Sequence, residues 1–127
     1  MRVVGGAGIT GYYSCSQVTL IDTIGLGDPL LARLPVPPHQ RDPAVHRGWR
    51  IGHCARTVPP GYVKARETGS TEGMDPALIE FWKVLRLITT GPVWGGERLR
   101  AVIEFNLGHY DEIRDDYVAR CIDEGQC

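Results

Sequence analysis

Long hydrophobic runs are missing from this chain of 127 residues. No apolar stretch approaches the roughly 20 residues that span a bilayer, and the amino terminus Met1-Arg2-Val3-Val4-Gly5-Gly6 lacks the apolar core of a signal peptide. Taken as complete, such a chain is expected in the cytoplasm; taken as a fragment, it sits wherever its missing portion puts it. An excess of charge is missing too. The formal net charge is -1, and the basic residues are not interleaved with aromatics, which argues against nucleic acid as a partner. The four cysteines, Cys15, Cys54, Cys121 and Cys127, have neither the C-x-x-C spacing of zinc sites nor that of thiol redox sites. Cys121 and Cys127 can close a small disulfide in an oxidising compartment or remain free thiols in a tail. His39, His46, His53 and His109 show no H-x-x-x-H spacing, which neither supports nor excludes a metal site; no metal ligand and no cofactor is assigned.

What is present suffices for an ordinary core. With 43% hydrophobic residues, a chain of this size buries about two-thirds of its unfolded surface and needs no metal or disulfide staple. A single domain over residues 1–127 is therefore expected. Most of the sixteen glycines and nine prolines lie before Gly73 and make the first half loop-rich, whereas the remainder carries longer periodic runs. Charge is uneven as well. Arg41, Arg47, Arg50, Arg56, Lys64 and Arg66 face only Asp42 in their stretch, and Asp111, Glu112, Asp115, Asp116, Asp123 and Glu124 dominate the tail. Most such faces are merely solvated, but the basic one also suits a phosphate or an acidic lipid headgroup.

Short strands are expected from Arg2 to Val4 and from Val18 to Ile21. Between them Gly6-Ala7-Gly8-Ile9-Thr10-Gly11 matches G-x-G-x-x-G letter for letter. In a dinucleotide fold these glycines open a helix of several turns, with an acid about 20 residues on. Here Tyr12 to Gln17 leaves room for little more than a turn and a half, and Asp22 comes too soon. The pattern therefore predicts a tight strand-to-helix turn against which Tyr12 and Tyr13 pack. A soluble module that binds a nucleotide or phosphorylated ligand through Gly6–Gly11 is the competing expectation; saturable nucleotide binding abolished by Gly8→Val would reveal it.

Asp28-Pro29 and Asp75-Pro76 both read as an N-cap followed by a first-turn proline. The first predicts a short helix carrying Leu30, Leu31 and Leu34 and stopped by Pro35. The second predicts a long helix with Leu78, Phe81, Trp82, Leu85 and Ile88 on one face, ended by Gly91-Pro92. Pro59-Pro60-Gly61-Tyr62 leads into a short helix through Lys64 and Arg66, and Gly69 to Gly73 is a turn. A further helix is expected over Glu97 to Leu107 with Leu99, Val102, Ile103 and Phe105 inward, and another beyond Gly108 with Tyr110, Ile113 and Tyr117. The class this predicts is α+β: two short strands with a compact glycine-rich connection, packed against three to four helices.

Asp22 closes an apolar strand, and a carboxylate set into apolar sequence is costly unless it finds donors. Backbone amides can supply them, as can Arg50, His53 or Arg56 from beyond the proline-rich loop 35–48, which is long for a connection in a compact domain. A carboxylate held in this way stays ionised and rigid, as a scaffold requires. Asp28 reads as a cap rather than a catalyst. A Cys54–His53 pair is poorly placed for nucleophilic catalysis because adjacent side chains diverge, and six residues with a glycine turn leave the separation of Asp22 and Asp28 undefined for glycosyl chemistry. The polar centre expected is Asp22, Asp28, Arg50, His53, Arg56 and Tyr62, with no catalytic residue assigned.

The succession Gly8-Ile9-Thr10-Gly11-Tyr12-Tyr13, then Ile21-Asp22-Thr23-Ile24-Gly25-Leu26-Gly27-Asp28-Pro29-Leu30-Leu31-Ala32-Arg33, then Arg50-Ile51-Gly52-His53 with Pro59-Pro60-Gly61-Tyr62, resembles a known pattern. It is that of the carboxy-terminal extracytoplasmic domain of bacterial polytopic membrane glycosyltransferases, in particular arabinofuranosyltransferase-like proteins. Leu85 to Trp94 and Arg98 to Tyr110 are similar to such tails as well. The resemblance implies a detached or separately encoded accessory domain at the outer face of the inner membrane. Its implied partners are the missing transmembrane portion, a polyprenyl-phosphate sugar and an acceptor glycan. In that family the catalytic acid lies in an extracytoplasmic loop near the amino terminus of the enzyme, so this chain alone is expected not to be catalytic. Cys54 and the Cys121/Cys127 tail depart from the family pattern.

Overall fold

The computed structural model describes residues 1–14, 18–36 and 54–124. The class is α+β. Strands β1 (Arg2–Val4) and β2 (Leu20–Asp22) pair in parallel, with Arg2 opposite Leu20 and Val4 opposite Asp22. A parallel pair requires a crossover, and here it includes α1 (Gly8–Tyr13), only six residues long. The glycine pattern thus coils into a helix of its own. Apart from this connection the described residues hold four α-helices, within the three to four expected. Tyr12 and Tyr13 do not pack against the turn; they lie exposed, ring against ring at 5.1 Å.

After β2 the loop 23–30 leads to a single 3-10 turn at Leu31–Arg33, less than the helix expected after Asp28-Pro29. Leu30, Leu31 and Leu34 are nevertheless buried there, together with Ile21. Helix α2 (Tyr62–Thr68) starts and ends on left-handed glycines, Gly61 at φ 73° and Gly69 at φ 78°. Gly61 is required twice over, since a Cβ there would stand 2.8 Å from the backbone of Glu72, Gly73 and Met74.

Helix α3 (Pro76–Thr90) runs between the expected punctuation marks. The Asp75 side chain accepts from the amides of Ala77 and Leu78, and Pro76 occupies the first helical position, where no amide is missed. Its stripe of Leu78, Phe81, Trp82 and Leu85 is buried and forms the centre of the core with Ile21, Leu30, Leu31, Tyr62, Ala65, Tyr117 and Cys121. Helices α4 (Gly96–Asn106) and α5 (Asp111–Asp123) both pack on α3. Arg120 clamps α5 to the start of α3 through Asp75 at 2.8 and 3.0 Å. Arg98 of α4 donates to the Ile88 carbonyl near the other end at 2.8 Å.

The expected inward face of α4 is corrected by the packing. Leu99 and Ile103 are 62% and 53% exposed, while Ala101 is buried. A small residue at the crossing lets the helix axes approach, and Phe105 then reaches the ring of Phe81, 5.9 Å away. No helix among the described residues is long and apolar enough to cross a membrane.

Candidate functional site

Asp22 and Asp28 are each only 1% exposed; Asp22 accepts hydrogen bonds from the loop between them, and Asp28 from the turn that follows and from Tyr62. The Asp22 carboxyl accepts from the amides of Ile24 at 3.2 Å and Gly27 at 3.0 Å. These contacts close an Asx-type turn and hold the chain as it leaves β2. Gly25, at φ 81° with a would-be Cβ 3.0 Å from the Ala32 backbone, permits the reversal. Asp28 caps the next turn through the amides of Leu30 and Leu31, both at 3.0 Å. Its carboxyl also lies 2.8 and 3.0 Å from the Tyr62 hydroxyl, which donates to it across 34 residues of sequence.

Arg56 binds the same loop from the other side. Its amide donates to the Thr23 carbonyl at 2.8 Å, and its Nη1 donates to the carbonyls of Ile24 at 2.9 Å and Cys54 at 2.7 Å. The segment after the proline-rich stretch thus joins the strand end, and it does so through backbone carbonyls rather than by an ion pair with Asp22. Burial lowers the pKa of the Arg56 guanidinium, while Cys54 and the nearby Asp22 raise it. Its Nε and Nη2 are buried and find no acceptor among the described residues. Arg50 and His53, the other two expected donors, lie outside the described residues. Of the six residues of the polar centre, the structure therefore assembles Asp22, Asp28, Arg56 and Tyr62 around the loop 22–31.

Tyr62 is fully buried. Burial first, then the Asp28 charge and the hydrogen bond to it, push the phenol far above its ordinary value; Arg66 acts in the opposite direction. The hydroxyl is therefore a fixed donor at neutral pH. The Asp22 and Asp28 carboxyls are thus closed to solvent and engaged by backbone amides and the Tyr62 hydroxyl, an arrangement that holds the loop in shape. Cys54 is a buried free thiol, and Cys121, also buried, is disulfide-bonded. Cys15 and Cys127 lie outside the described residues.

Two arginines missed as site residues stand beside this loop. An open groove of about 480 Å³ runs along Gly25–Pro29 and is walled by Arg33, Arg66 and the end of α3 at Thr89 and Thr90. A second groove of about 420 Å³ shares Arg66 and Thr90 and adds Arg86, which stacks on Trp82. A smaller pocket of about 140 Å³ lies near Pro59, Asp75 and Tyr117, where Asp75 and Arg120 are already paired with each other. The sequence signal for the first groove was present in the Leu31-Ala32-Arg33 end of the apolar turn and in the basic run that ends at Arg66. Neither residue type nor spacing tells that the two meet. Among the described residues, no group of three or more His, Cys, Asp or Glu side chains converges to hold a metal.

What fold and site define together is a small α+β scaffold with a buried acidic hinge and an open cationic groove. Comparison with protein-family models, with curated proteins and with solved structures finds no match.

Proposed function

We propose that this chain is a non-catalytic, extracytoplasmic carboxy-terminal domain of a membrane glycosyltransferase-like protein, and that it helps shape an acceptor or lipid-phosphate site in cell-envelope glycan assembly. One observation carries the reading. The segments on which the family resemblance rests, Ile21 to Arg33 and Pro59 to Tyr62, meet through the buried Asp28–Tyr62 hydrogen bond. Motifs that hold a scaffold together are what an accessory domain retains, because its task is shape and not turnover. The carboxyls that come nearest to glycosyl chemistry, Asp22 and Asp28, are engaged by amides and a phenol. The expected partner is the membrane portion that would carry the catalytic acid.

The genomic sequence immediately upstream tests the proposal. An in-frame series of apolar helices supports it, and a ribosome-binding site that follows an unrelated stop codon overturns it. Sugar transfer provides the biochemical counterpart. Membranes with the joined protein are expected to use a polyprenyl-phosphate sugar, and the chain on its own is expected to show no turnover. Turnover by the isolated chain would overturn its accessory role.

A further inference from the structure

The groove beside the Gly25–Pro29 loop carries positive charge that the protein itself leaves unanswered. Lys64, Arg100, Arg114 and Arg120 each hold a carboxylate; Arg33 and Arg66 hold none among the described residues. The carboxyl in the groove wall does not fill that role, because Asp28 is turned inward to Leu30, Leu31 and Tyr62. Arg66 Nε is buried and has no hydrogen-bond partner among the described residues, a costly state for a charged donor. Arg33 is already set in place: its Nη1 donates to the Pro29 carbonyl at 2.8 Å and its guanidinium lies 5.0 Å from the centre of the Phe105 ring. Burial and the neighbouring Arg114 both lower its pKa, so its cationic form stands to gain from an anion.

We propose that this groove binds a phosphoryl group through Arg66 and Arg33. Two guanidiniums balance the double charge of a phosphomonoester and much of the larger charge of a diphosphate, and their planar forks suit its several oxygens. A volume of about 480 Å³ leaves space for the group to which the phosphate is attached. Pre-positioning of Arg33 lowers the ordering cost of binding. The site stands on the groove itself; only the source of the phosphate, lipid or soluble, rests on the role proposed above.

Titration of the full chain with inorganic pyrophosphate, followed by calorimetry and by the amide resonances of Gly25 and Gly27, tests the site. Saturable binding is expected, weakened about tenfold or more by Arg66→Gln, the loss of one charge-assisted contact. Lys64→Gln, which removes an exposed charge outside the groove, is expected to leave binding unchanged. Because Arg33 also supports the fold, Arg33→Lys is read beside Arg33→Gln, with the thermal midpoint of each variant. Absence of saturable binding, or equal binding by wild type and Arg66→Gln, overturns the proposal. Sedimentation with phosphatidylcholine vesicles, with and without polyprenyl phosphate, then separates the sources. Capture that needs both the lipid phosphate and Arg66 supports the site and assigns it to lipid. Pyrophosphate binding without vesicle capture supports the site, assigns it to soluble phosphate esters, and removes the lipid-phosphate part of the proposed function.

Discussion

Residues 20–36 with 54–62 and the helical region α3 to α5 bury comparable side chains by different means. In the first, Ile21, Leu30, Leu31 and Leu34 are brought inside by a backbone that has almost no regular structure; Asp22, Asp28 and Arg56 satisfy its amides and carbonyls, and Tyr62 holds Asp28 in place. In the second, helical ladders satisfy the backbone, and the stripe Leu78, Phe81, Trp82 and Leu85 meets Tyr117 and Cys121 from the facing helix. A loop core depends on a few polar keystones because buried backbone groups must be paired. A helical core depends on shape and volume. The first region is therefore expected to fail by loss of a single hydrogen-bonding group, the second by loss of packing.

The largest effect is expected from Phe81→Ala, at about 4 kcal/mol of stability by urea unfolding, because the ring is buried against Phe105 and the core. Asp28→Ala follows at about 3 kcal/mol, since it orphans two amides and the Tyr62 hydroxyl. Combined with Tyr62→Phe it is expected to cost less than the sum of the two; strict additivity would break the claim that they act as one keystone. Gly61→Ala is expected to cost about 2 kcal/mol through left-handed strain and the 2.8 Å backbone contacts at the head of α2.

Tyr62→Phe alone is the smallest at neutral pH, about 1 kcal/mol, and sharpens the comparison through its pH dependence. The folded state holds the phenol above its unfolded value of about 10. Its contribution is thus complete below about pH 10 and is lost as pH rises beyond it, because only the unfolded chain releases the proton readily. Tyr117, raised by burial and by Asp75, and Tyr110, raised by its bond to Glu104, act in the same direction. Urea unfolding at about pH 8 and about pH 11 is expected to show a smaller alkaline loss in Tyr62→Phe than in wild type. An equal loss would move the alkaline sensitivity out of the loop core.

The helical region was the more legible. Asp75-Pro76 and Gly91-Pro92 bound α3 within a few residues of sequence, and a 3.6-residue period names its buried face with no knowledge of a neighbour. The rotation of α4 was only partly legible: Phe105 faces the core as expected, but Leu99 and Ile103 form as good an apolar stripe as the one that Ala101 buries. Which stripe turns inward is decided by how closely α3 admits its partner.

In the loop region Asp22 was recognisable as a buried carboxylate and Asp28 as a cap. The direct partners found for Asp22 are amides two and five residues on, and the tyrosine that Asp28 holds comes from across the proline-rich stretch. By itself, then, the sequence determined the α+β class, the two short strands, the bounds of α3 and the presence of costly buried acids, because capping, periodicity and β-branching act over a few neighbours. Only the tertiary structure decided which donor meets which acceptor, which face of α4 is dry, and that Arg33 and Arg66 share a groove. Those outcomes depend on distances between segments dozens of residues apart, and residue spacing along a chain does not encode them.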